Sequence, residues 1–211
     1  MKPRKLASLP TIRRLPSYLH VVEQALREGK HHISGTVIAE ELELEPIQVR
    51  KDLAITGIAG RPRIGFPVEA LIDAIHSFLY WDQHHRAVVV GCGNLGSALM
   101  GYAEFARHGL NIVAAFDVNE SRIGTLQNGK PVYAMSDMPK RITSLGASIA
   151  LLTVPSSEAQ AVAESIIDAG ITAIWNFTNI KLKVPPQVMV EKEDLSSGYA
   201  VLSVKIRTMN S

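Results

Sequence analysis

The residues best suited to chemistry lie in a glycine-rich run, residues 87–96, which reads AVVVGCGNLG. Four strand-forming residues precede the glycines and apolar residues at helical spacing follow them, so the sequence predicts a strand, a tight turn and a helix that runs to about Arg107. Here the first glycine turns the chain, the second lets backbone approach a diphosphate, and the third packs the helix on the strand. N–H groups at the helix N-terminus would face that diphosphate. We therefore expect a dinucleotide site that contains Gly91, Cys92, Gly93, Asn94, Leu95 and Gly96.

An acidic residue at a second strand end supports this prediction. A second apolar run, residues 112–116, ends in Asp117, which lies 21 residues beyond Gly96. This is close to the offset of about 20 residues at which a carboxylate accepts a hydrogen bond from a ribose hydroxyl. Such a carboxylate also repels a ribose 2′-phosphate and favours NADH and NAD. The alternative is a structural glycine turn followed by an ordinary surface aspartate.

Composition limits the class of protein. With 211 residues and 46% apolar content, the chain can bury a core and form one large or two small domains. No apolar stretch approaches the 18 or more residues of a membrane helix, so we expect no membrane partner. The single cysteine, Cys92, excludes an internal disulfide and indicates a cytoplasmic location. Cys92 is either a thiol activated by the helix N-terminus or merely a small residue that the turn tolerates.

The first 60 residues predict a DNA-binding module. Pro16 can begin a helix, Ser34 can cap a short second helix, and Pro46 can open a third that ends before Gly57. Helix, three-residue turn and helix form the helix-turn-helix pattern, whose second member enters the major groove of DNA. A basic tail also precedes the first acidic residue and is either a phosphate-contacting arm or a solvated terminus; it contains Lys2, Arg4, Lys5, Arg13 and Arg14.

Side chains on the third helix suit base and phosphate contacts. Gln48, Arg50 and Lys51 lie near its start, where glutamine can pair with adenine, and arginine or lysine with guanine or phosphate. A glycine- and proline-rich turn then carries Arg61 and Arg63, as expected of a basic wing. The alternative is an amphipathic helix whose polar face is basic by chance.

Beyond Asp117 strands and helices alternate, which implies a parallel sheet with both faces covered. Strands are predicted over residues 131–133, 149–153 and 173–177, and a helix over residues 156–169. Ligands bind outside the carboxyl ends of such strands. We therefore expect near the nicotinamide ring Thr153, Val154, Pro155, Asn176 and Phe177, although Phe177 can equally belong to the core.

The chain ends in a helix whose apolar residues Leu195, Tyr199, Leu202 and Ile206 share one face. No later element can cover that face, so it must pack on its own domain or on a second subunit. Because helix-turn-helix proteins commonly bind paired half-sites, we expect a homodimer.

Eight segments of the chain match the pattern of one known family: PTIRRLPSY (10–18), QVRKDL (48–53), GCGNLGSAL (91–99), AAFDV (114–118), LLTVP (151–155), WNF (175–177), KVP (183–185) and VEKEDL (190–195). Through these segments, and over nearly its whole length, the sequence resembles the Rex family of redox-sensing transcriptional repressors. The resemblance implies a homodimer with winged-helix domains, Rossmann-like domains that sense the NADH/NAD ratio, and a C-terminal helix swapped into the partner. NADH binding would then release operator DNA.

The resemblance also implies roles for particular residues. Tyr102 matches a tyrosine near the nicotinamide that takes part in switching, and Asp194 matches an acid at the start of the swapped helix. Val118 falls beside Asp117 in the cofactor segment. His20 stands where the family usually has an arginine that pairs with the acid of the other subunit, and it can do so only when protonated. Pro62 and Arg63 also replace the family's Arg-Gly in the wing.

The sequence therefore predicts an α/β protein: a winged helix-turn-helix domain over residues 1–80, a Rossmann-like domain over 81–192, and a C-terminal swapped helix over 193–211. We expect a repressor that binds double-stranded operator DNA, senses NADH and NAD, and is not an enzyme. Two alternatives stay open: a small NAD-dependent oxidoreductase, and a dinucleotide-binding regulator that has lost DNA binding.

Overall fold

A computed structural model describes residues 7–209 of the chain. The chain divides into two compact units between Gln83 and His84. Lys2, Arg4 and Lys5 of the predicted basic tail lie outside the described residues.

The first unit contains four helices and a two-stranded sheet. In chain order these are α1 (Leu9–Arg27), β1 (His32–Ile33), α2 (Gly35–Glu41), α3 (Pro46–Ala54), β2 (Phe66–Pro67) and α4 (Val68–Leu79). Apolar residues at helical spacing on all four helices meet in one core. Ser34 caps α2, because its hydroxyl accepts a hydrogen bond from the backbone N–H of Val37 at 3.2 Å.

Helix α1 begins earlier than the sequence predicts, so the prediction that Pro16 starts it is wrong. Ser8 caps the helix, and its hydroxyl accepts from the backbone N–H of Thr11 at 3.3 Å. Pro16 lies inside the helix, where it cannot donate to the preceding turn. The helix continues through it because the side chains of Leu15 and Leu19, on either side, are fully buried in the core.

A short wing is formed by the segment between α3 and α4 together with β1, which precedes α2. Strands β1 and β2 pair in antiparallel fashion, with Ile33 opposite Phe66. Before β2, Arg61 and Gly65 exchange two backbone hydrogen bonds of 2.8 and 2.9 Å and close a five-residue turn. Three helices followed by this turn and sheet form a winged helix-turn-helix arrangement.

The second unit is built on a seven-stranded sheet. Its strands are β3 (His85–Val90), β4 (Leu110–Asp117), β5 (Leu126–Gln127), β6 (Lys130–Ala134), β7 (Ile149–Leu152), β8 (Ala173–Asn176) and β9 (Met189–Lys192). They lie in the order β5-β6-β4-β3-β7-β8-β9, and all are parallel to their neighbours except β5, which is antiparallel to β6. Without β5, this is the strand order of a Rossmann sheet.

Among the described residues, five helices accompany these strands, four of them between strands and the last after β9. They are α5 (Asn94–Met100), α6 (Ala103–Arg107), α7 (Met138–Leu145), α8 (Ala159–Asp168) and α9 (Ser196–Met209), with a short 3₁₀ turn (Met135–Asp137) before α7. Side chains of the central strands are buried in alternation in two clusters, with Val88 and Val90 in one and Ala87 and Val89 in the other. Burial on both faces explains why β3 is continuously apolar from Ala87 to Val90, whereas its first two residues, His85 and Arg86, are polar and exposed.

The single helix predicted to run from the glycine turn to about Arg107 is in fact two helices, α5 and α6. The hairpin of β5 and β6 binds the C-terminal carbonyls of α5: Lys130 Nζ donates to Met100 O at 2.6 Å, and Asn128 Nδ2 donates to Ser97 O at 2.8 Å. Three short elements of this unit, β5, β9 and α7, were not predicted.

Helix α9 has no buried residue along its 14 positions. Within residues 7–209, none of the helices is both long enough and apolar enough to cross a membrane.

Candidate functional site

The turn between β3 and α5 has the geometry that its glycines predict. Gly91 has a φ of +95°, and a Cβ there would lie 2.8 Å from Val154 Cγ1. A Cβ on Gly96 would collide with the carbonyl oxygen of Gly91. A Cβ on Gly93, by contrast, would meet nothing within 4 Å. Packing therefore requires the first and third glycines, whereas the second leaves the backbone open to a ligand.

Thr153, which directly follows β7, contacts the other side of this turn. The backbone N–H of Thr153 donates to Val90 O at 2.9 Å, and its hydroxyl donates to Gly91 O at 2.6 Å. Strands β3 and β7 are the pair at which the strand order reverses, the place where open parallel sheets bind ligands.

Asp117, at the end of β4, is buried against the same turn. One carboxylate oxygen accepts from the backbone N–H of Cys92 at 2.6 Å, and the other accepts from the backbone N–H of Asn119 at 2.8 Å. Each carboxylate oxygen can accept a second hydrogen bond. Asp117 therefore holds the glycine turn and keeps acceptor capacity for a ribose hydroxyl.

These groups line a cavity of about 430 Å³, within the usual range of cofactor pockets. The predicted residues that line it are Gly91, Gly93, Asp117, Val118, Thr153, Val154 and Pro155. Five further residues that were not predicted also line it: Asn119, Arg122, Met135, Glu158 and Val162. Met135 follows β6 directly, so the rule of carboxyl strand ends could have identified it, whereas Glu158 and Val162 reach the cavity only because α8 packs beside β7.

Cys92, predicted as part of the cofactor site, does not line the cavity, and its backbone N–H donates to Asp117. Its side chain is 1% exposed, and Sγ lies 3.7 Å from Met100 Sδ. Burial, together with the negative charge of Asp117, raises the pKa of the thiol. The hypothesis of an activated cysteine is therefore wrong, because the side chain points into the core and away from the helix N-terminus.

Several predicted cofactor residues do not line the cavity: Asn94, Leu95 and Gly96 on α5, and Tyr102, Asn176 and Phe177. The Asn176 amide is used within its own loop, since Oδ1 accepts from Thr178 Oγ1 at 2.7 Å and Nδ2 donates to Ile180 O at 2.9 Å.

Tyr102 and Phe177 lie at the two ends of a row of four aromatic rings that contact each other edge-on or tilted. Successive ring centroids from Tyr102 through Phe105 and Trp175 to Phe177 are 4.9, 5.5 and 5.0 Å apart. Tyr102 is exposed at the break between α5 and α6. Contacts of either end residue with a cofactor remain predictions.

The first unit presents its basic side chains on α3 and the wing. Arg50 and Lys51 are exposed, and Arg50 Nε donates to the carbonyl oxygen of Pro46 at 3.2 Å. Arg61 and Arg63 are exposed on the wing turn. A groove of about 670 Å³ is lined by the wing, by Arg50 and by the start of α2.

Two details of this surface were not predicted. Ile47, at the start of α3, is 58% exposed and suits contact with a thymine methyl group. Arg63 occupies the left-handed region with a φ of 63°, a conformation that costs a non-glycine residue about 1 kcal/mol.

Asp52 lies on the buried side of α3 and anchors α1. Its carboxylate accepts from Thr11 Oγ1 at 3.0 Å, from Arg14 Nε at 2.8 Å and from the Tyr18 hydroxyl at 2.7 Å. Burial by itself would raise the pKa of Asp52, but the hydrogen bonds from Arg14, Tyr18 and Thr11 outweigh it and lower that pKa. The carboxylate is therefore ionised at neutral pH.

Arg14 also touches the predicted reading helix. The Gln48 amide oxygen, in the orientation that hydrogen bonding requires, accepts from the two terminal nitrogens of Arg14 at 3.1 and 3.2 Å. Arg14 thus binds Asp52 and Gln48 together, and its predicted contact with DNA remains a prediction.

His20 and Asp194, the predicted inter-subunit pair, each make local contacts. His20 Nδ1 lies 2.9 Å from the carbonyl oxygen of Pro16 on the exposed side of α1. Asp194 accepts from the Ser196 hydroxyl at 2.6 Å and from its backbone N–H at 3.0 Å, which lowers the Asp194 pKa.

Comparison with known proteins agrees with both units. The family described as "CoA binding domain" matches residues 82–180, and the family described as "Putative DNA-binding protein N-terminus" matches residues 7–54. The redox-sensing transcriptional repressor Rex of Treponema denticola is 54% identical over 208 residues, which cover 99% of each chain. The Rex repressor of Bacteroides fragilis is 39% identical over 95% of this chain and 90% of its own.

Solved structures show the same fold. RSP, a Rex-family repressor, superposes with a TM-score of 0.87 at 30% identity, over 98% of this chain and 96% of its own. The complex of RSP with β-NAD⁺ and operator DNA gives 0.88 at 31% identity over 98% and 95%, and the complex with β-NADH gives 0.88 at 30% identity over 98% and 97%. From this identity over almost the whole sequence and this shared fold, we conclude that the chain belongs to the Rex family of redox-sensing transcriptional repressors.

Proposed function

We propose that this protein is a DNA-binding repressor that senses the NADH/NAD ratio and leaves its operator when it binds NADH. The observation that carries the proposal is the combination, in one chain, of a helix-turn-helix unit with a basic wing and a Rossmann unit with an open glycine turn. The Rex relatives and the RSP complexes with NAD⁺, operator DNA and NADH support it.

The cavity of the second unit fits a dinucleotide. Backbone N–H groups at the start of α5 would hold the diphosphate, since the space beside Gly93 is open. Asp117 would accept from the adenosine ribose and would oppose a 2′-phosphate. Val118 and Met135 offer apolar surface to the adenine. When bound, the nicotinamide distinguishes the two redox states, because it is cationic in NAD and neutral in NADH.

Repression requires coupling between two equilibria. The protein must bind NADH more tightly in its DNA-incompetent state than in its DNA-competent state. By linkage, operator DNA must then weaken NADH binding by the same factor. A coupling free energy of about 1–3 kcal/mol corresponds to roughly a 5- to 150-fold change in affinity.

On the DNA side, Arg50 and Lys51 on α3 and Arg61 and Arg63 on the wing would supply the base and phosphate contacts. The protein would act as a homodimer. Helix α9 supports this, because it leaves Tyr199 73% exposed and Leu202 54% exposed, and a swap of residues 193–211 into the partner would cover them. His20 and Tyr102 of one subunit, together with Asp194 of the partner subunit, would form the switch between the subunits.

The test is fluorescence anisotropy with a palindromic operator at fixed salt, titrated first with NADH and then with NAD. We expect release by NADH at concentrations where NAD has little effect. Absence of DNA binding, both at this salt concentration and when the titration is repeated at lower salt, would contradict the repressor function. Steady turnover of NADH with a small carbonyl substrate would instead support the oxidoreductase alternative.

A further inference from the structure

We propose that Asp52 is a positioning residue for DNA recognition. It holds Arg14 so that Arg14 binds the oxygen of the Gln48 amide, which leaves the amide NH₂ as the group that reads the DNA. Gln48 would then act only as a hydrogen-bond donor and would prefer guanine. This inference rests on the proposed DNA-binding function and goes beyond it, because it assigns the chemistry of one base contact.

The carboxylate of Asp52 has no capacity left for another partner. Oδ1 accepts from Thr11 Oγ1 at 3.0 Å and from Arg14 Nη2 at 3.1 Å, and Oδ2 accepts from Arg14 Nε at 2.8 Å and from Tyr18 at 2.7 Å. Two carboxylate oxygens offer about four acceptor positions, and all four are used. The side chain is buried, so solvent does not compete for them. Asp52 therefore acts on DNA only through its partners.

Arg14 is the partner that extends toward the reading residue. Its Nε and Nη2 bind Asp52 as a fork, which fixes the plane of the guanidinium. The remaining N–H groups of Nη1 and Nη2 reach the Gln48 amide oxygen at 3.2 and 3.1 Å. A lysine can form the ion pair with Asp52, but it has no second arm with which to hold Gln48.

The position of Gln48 gives this contact a consequence for recognition. Gln48 is the third residue of α3, in the part of a recognition helix that meets base edges. Glutamine recognises adenine by accepting from N6 and donating to N7, and this needs both ends of the amide. Since Arg14 occupies the oxygen, only the two N–H donors of Gln48 remain. Guanine presents two adjacent acceptors in the major groove, O6 and N7, and so suits this donor pair best.

The experiment compares base preference among variants of the full-length protein. The operator is first selected from a random duplex library with the native protein, and every base pair of one half-site is then replaced in turn and measured by anisotropy. One base pair of the half-site is contacted by Gln48 and is identified because Gln48→Ala shows no base preference there. At that base pair the native protein should prefer guanine. The preference should be about 5- to 150-fold.

Two variants test the positioning role. Asp52→Asn should remove the guanine preference at that same base pair. Arg14→Lys keeps the ion pair with Asp52 and should also remove the guanine preference. It provides the test if Asp52→Asn fails to fold. Asp73→Asn is the matched control, an exposed carboxylate in the same unit, and should leave every preference unchanged. Lys51→Ala should lower affinity about equally for all sequences.

The inference would be overturned if the Gln48-dependent base pair prefers adenine, or if both Asp52→Asn and Arg14→Lys lower affinity uniformly and keep the preference for guanine. Failure of the proposed function gives a different result: native protein then selects no operator while it still binds NADH, and this outcome overturns the inference as well. Unchanged NADH affinity in every variant confirms that the second unit is intact.

Discussion

At the scale of single residues, Asp117 serves the fold and the proposed cofactor site together. It accepts from the backbone N–H groups of Cys92 and Asn119 and still faces the cavity. A residue in this position is read from the sequence as a ribose contact, but its second role as the anchor of the glycine turn depends on β3 and β4 lying side by side.

Asp117→Ala should weaken NADH binding about 10-fold or more, because a hydrogen bond to a charged group contributes about 1.5–3 kcal/mol. Operator binding should persist without NADH, and release by NADH should shift to higher concentration. Calorimetric titration of NADH measures the loss. Lys140→Ala, an exposed change on α7, is the control. Retention of full NADH affinity would remove Asp117 from the ribose site.

Tyr18 contributes to the pH dependence of stability on the alkaline side. Burial and the neighbouring Asp52 raise the pKa of its hydroxyl to about 12, against about 10 in an unfolded chain. The unfolded state therefore loses this proton first, and the stabilisation present below pH 10 is lost as pH rises toward 12.

Urea unfolding at pH 9 and pH 11 measures this effect. Tyr18→Phe should be less stable than native protein at pH 9 and should lose less stability between the two pH values. Tyr80→Phe, an exposed tyrosine of the same unit, should behave as the native protein does. An equal loss in native protein and Tyr18→Phe would show that Tyr18 is not the titrating group.

At the scale of elements, the wing combines charge with backbone strain. Arg63 adopts a φ of 63° inside the turn closed by Arg61 and Gly65, at the position where the family resemblance predicts glycine. The wing therefore forms without that glycine. Arg63 adds a positive charge at a position where glycine would adopt the left-handed conformation more easily.

Arg63→Gly should stabilise the protein by up to about 1 kcal/mol, because it relieves the left-handed conformation, and should weaken operator binding through loss of one cation. Arg61→Gly is the matched control, since it removes the same charge from a residue whose φ is not positive. Thermal unfolding and the salt dependence of anisotropy measure the two effects. A fall in stability for Arg63→Gly equal to that of Arg61→Gly would contradict the strain.

At the scale of the whole molecule, α9 is the element that one chain leaves uncovered. Its apolar residues are exposed throughout, including Val204 at 65%. Since exposed apolar surface of this extent marks an interaction site, the proposed homodimer would bury it.

Leu202→Asp should shift the protein from dimer to monomer and, through loss of paired half-sites, lower operator affinity at least 10-fold. Sedimentation equilibrium measures the mass, and anisotropy measures the binding. Lys205→Asp changes an exposed polar position of the same helix and should leave the dimer intact. A native protein that sediments as a monomer at micromolar concentration would contradict the proposed assembly.

The sequence by itself determined the turns and helix starts that depend on residues only a few positions apart. The Gly91–Gly96 spacing, the cap at Ser34 and the proline at the start of α3 each act within a few residues, so they predict their turns and helices directly. The alternation of strand and helix then predicts a parallel sheet, and the structure has one.

Tertiary structure decided what depends on distant residues. Lys130 and Asn128 bind carbonyls about 30 positions earlier and so divide the predicted helix into α5 and α6. Burial of α1 side chains in the core keeps that helix continuous across Pro16. The packing of α8 brings Glu158 to the cavity. The tie from Asp52 through Arg14 to Gln48 spans more than 30 positions, so no local pattern predicts it. Such contacts arise only when separate elements are packed together.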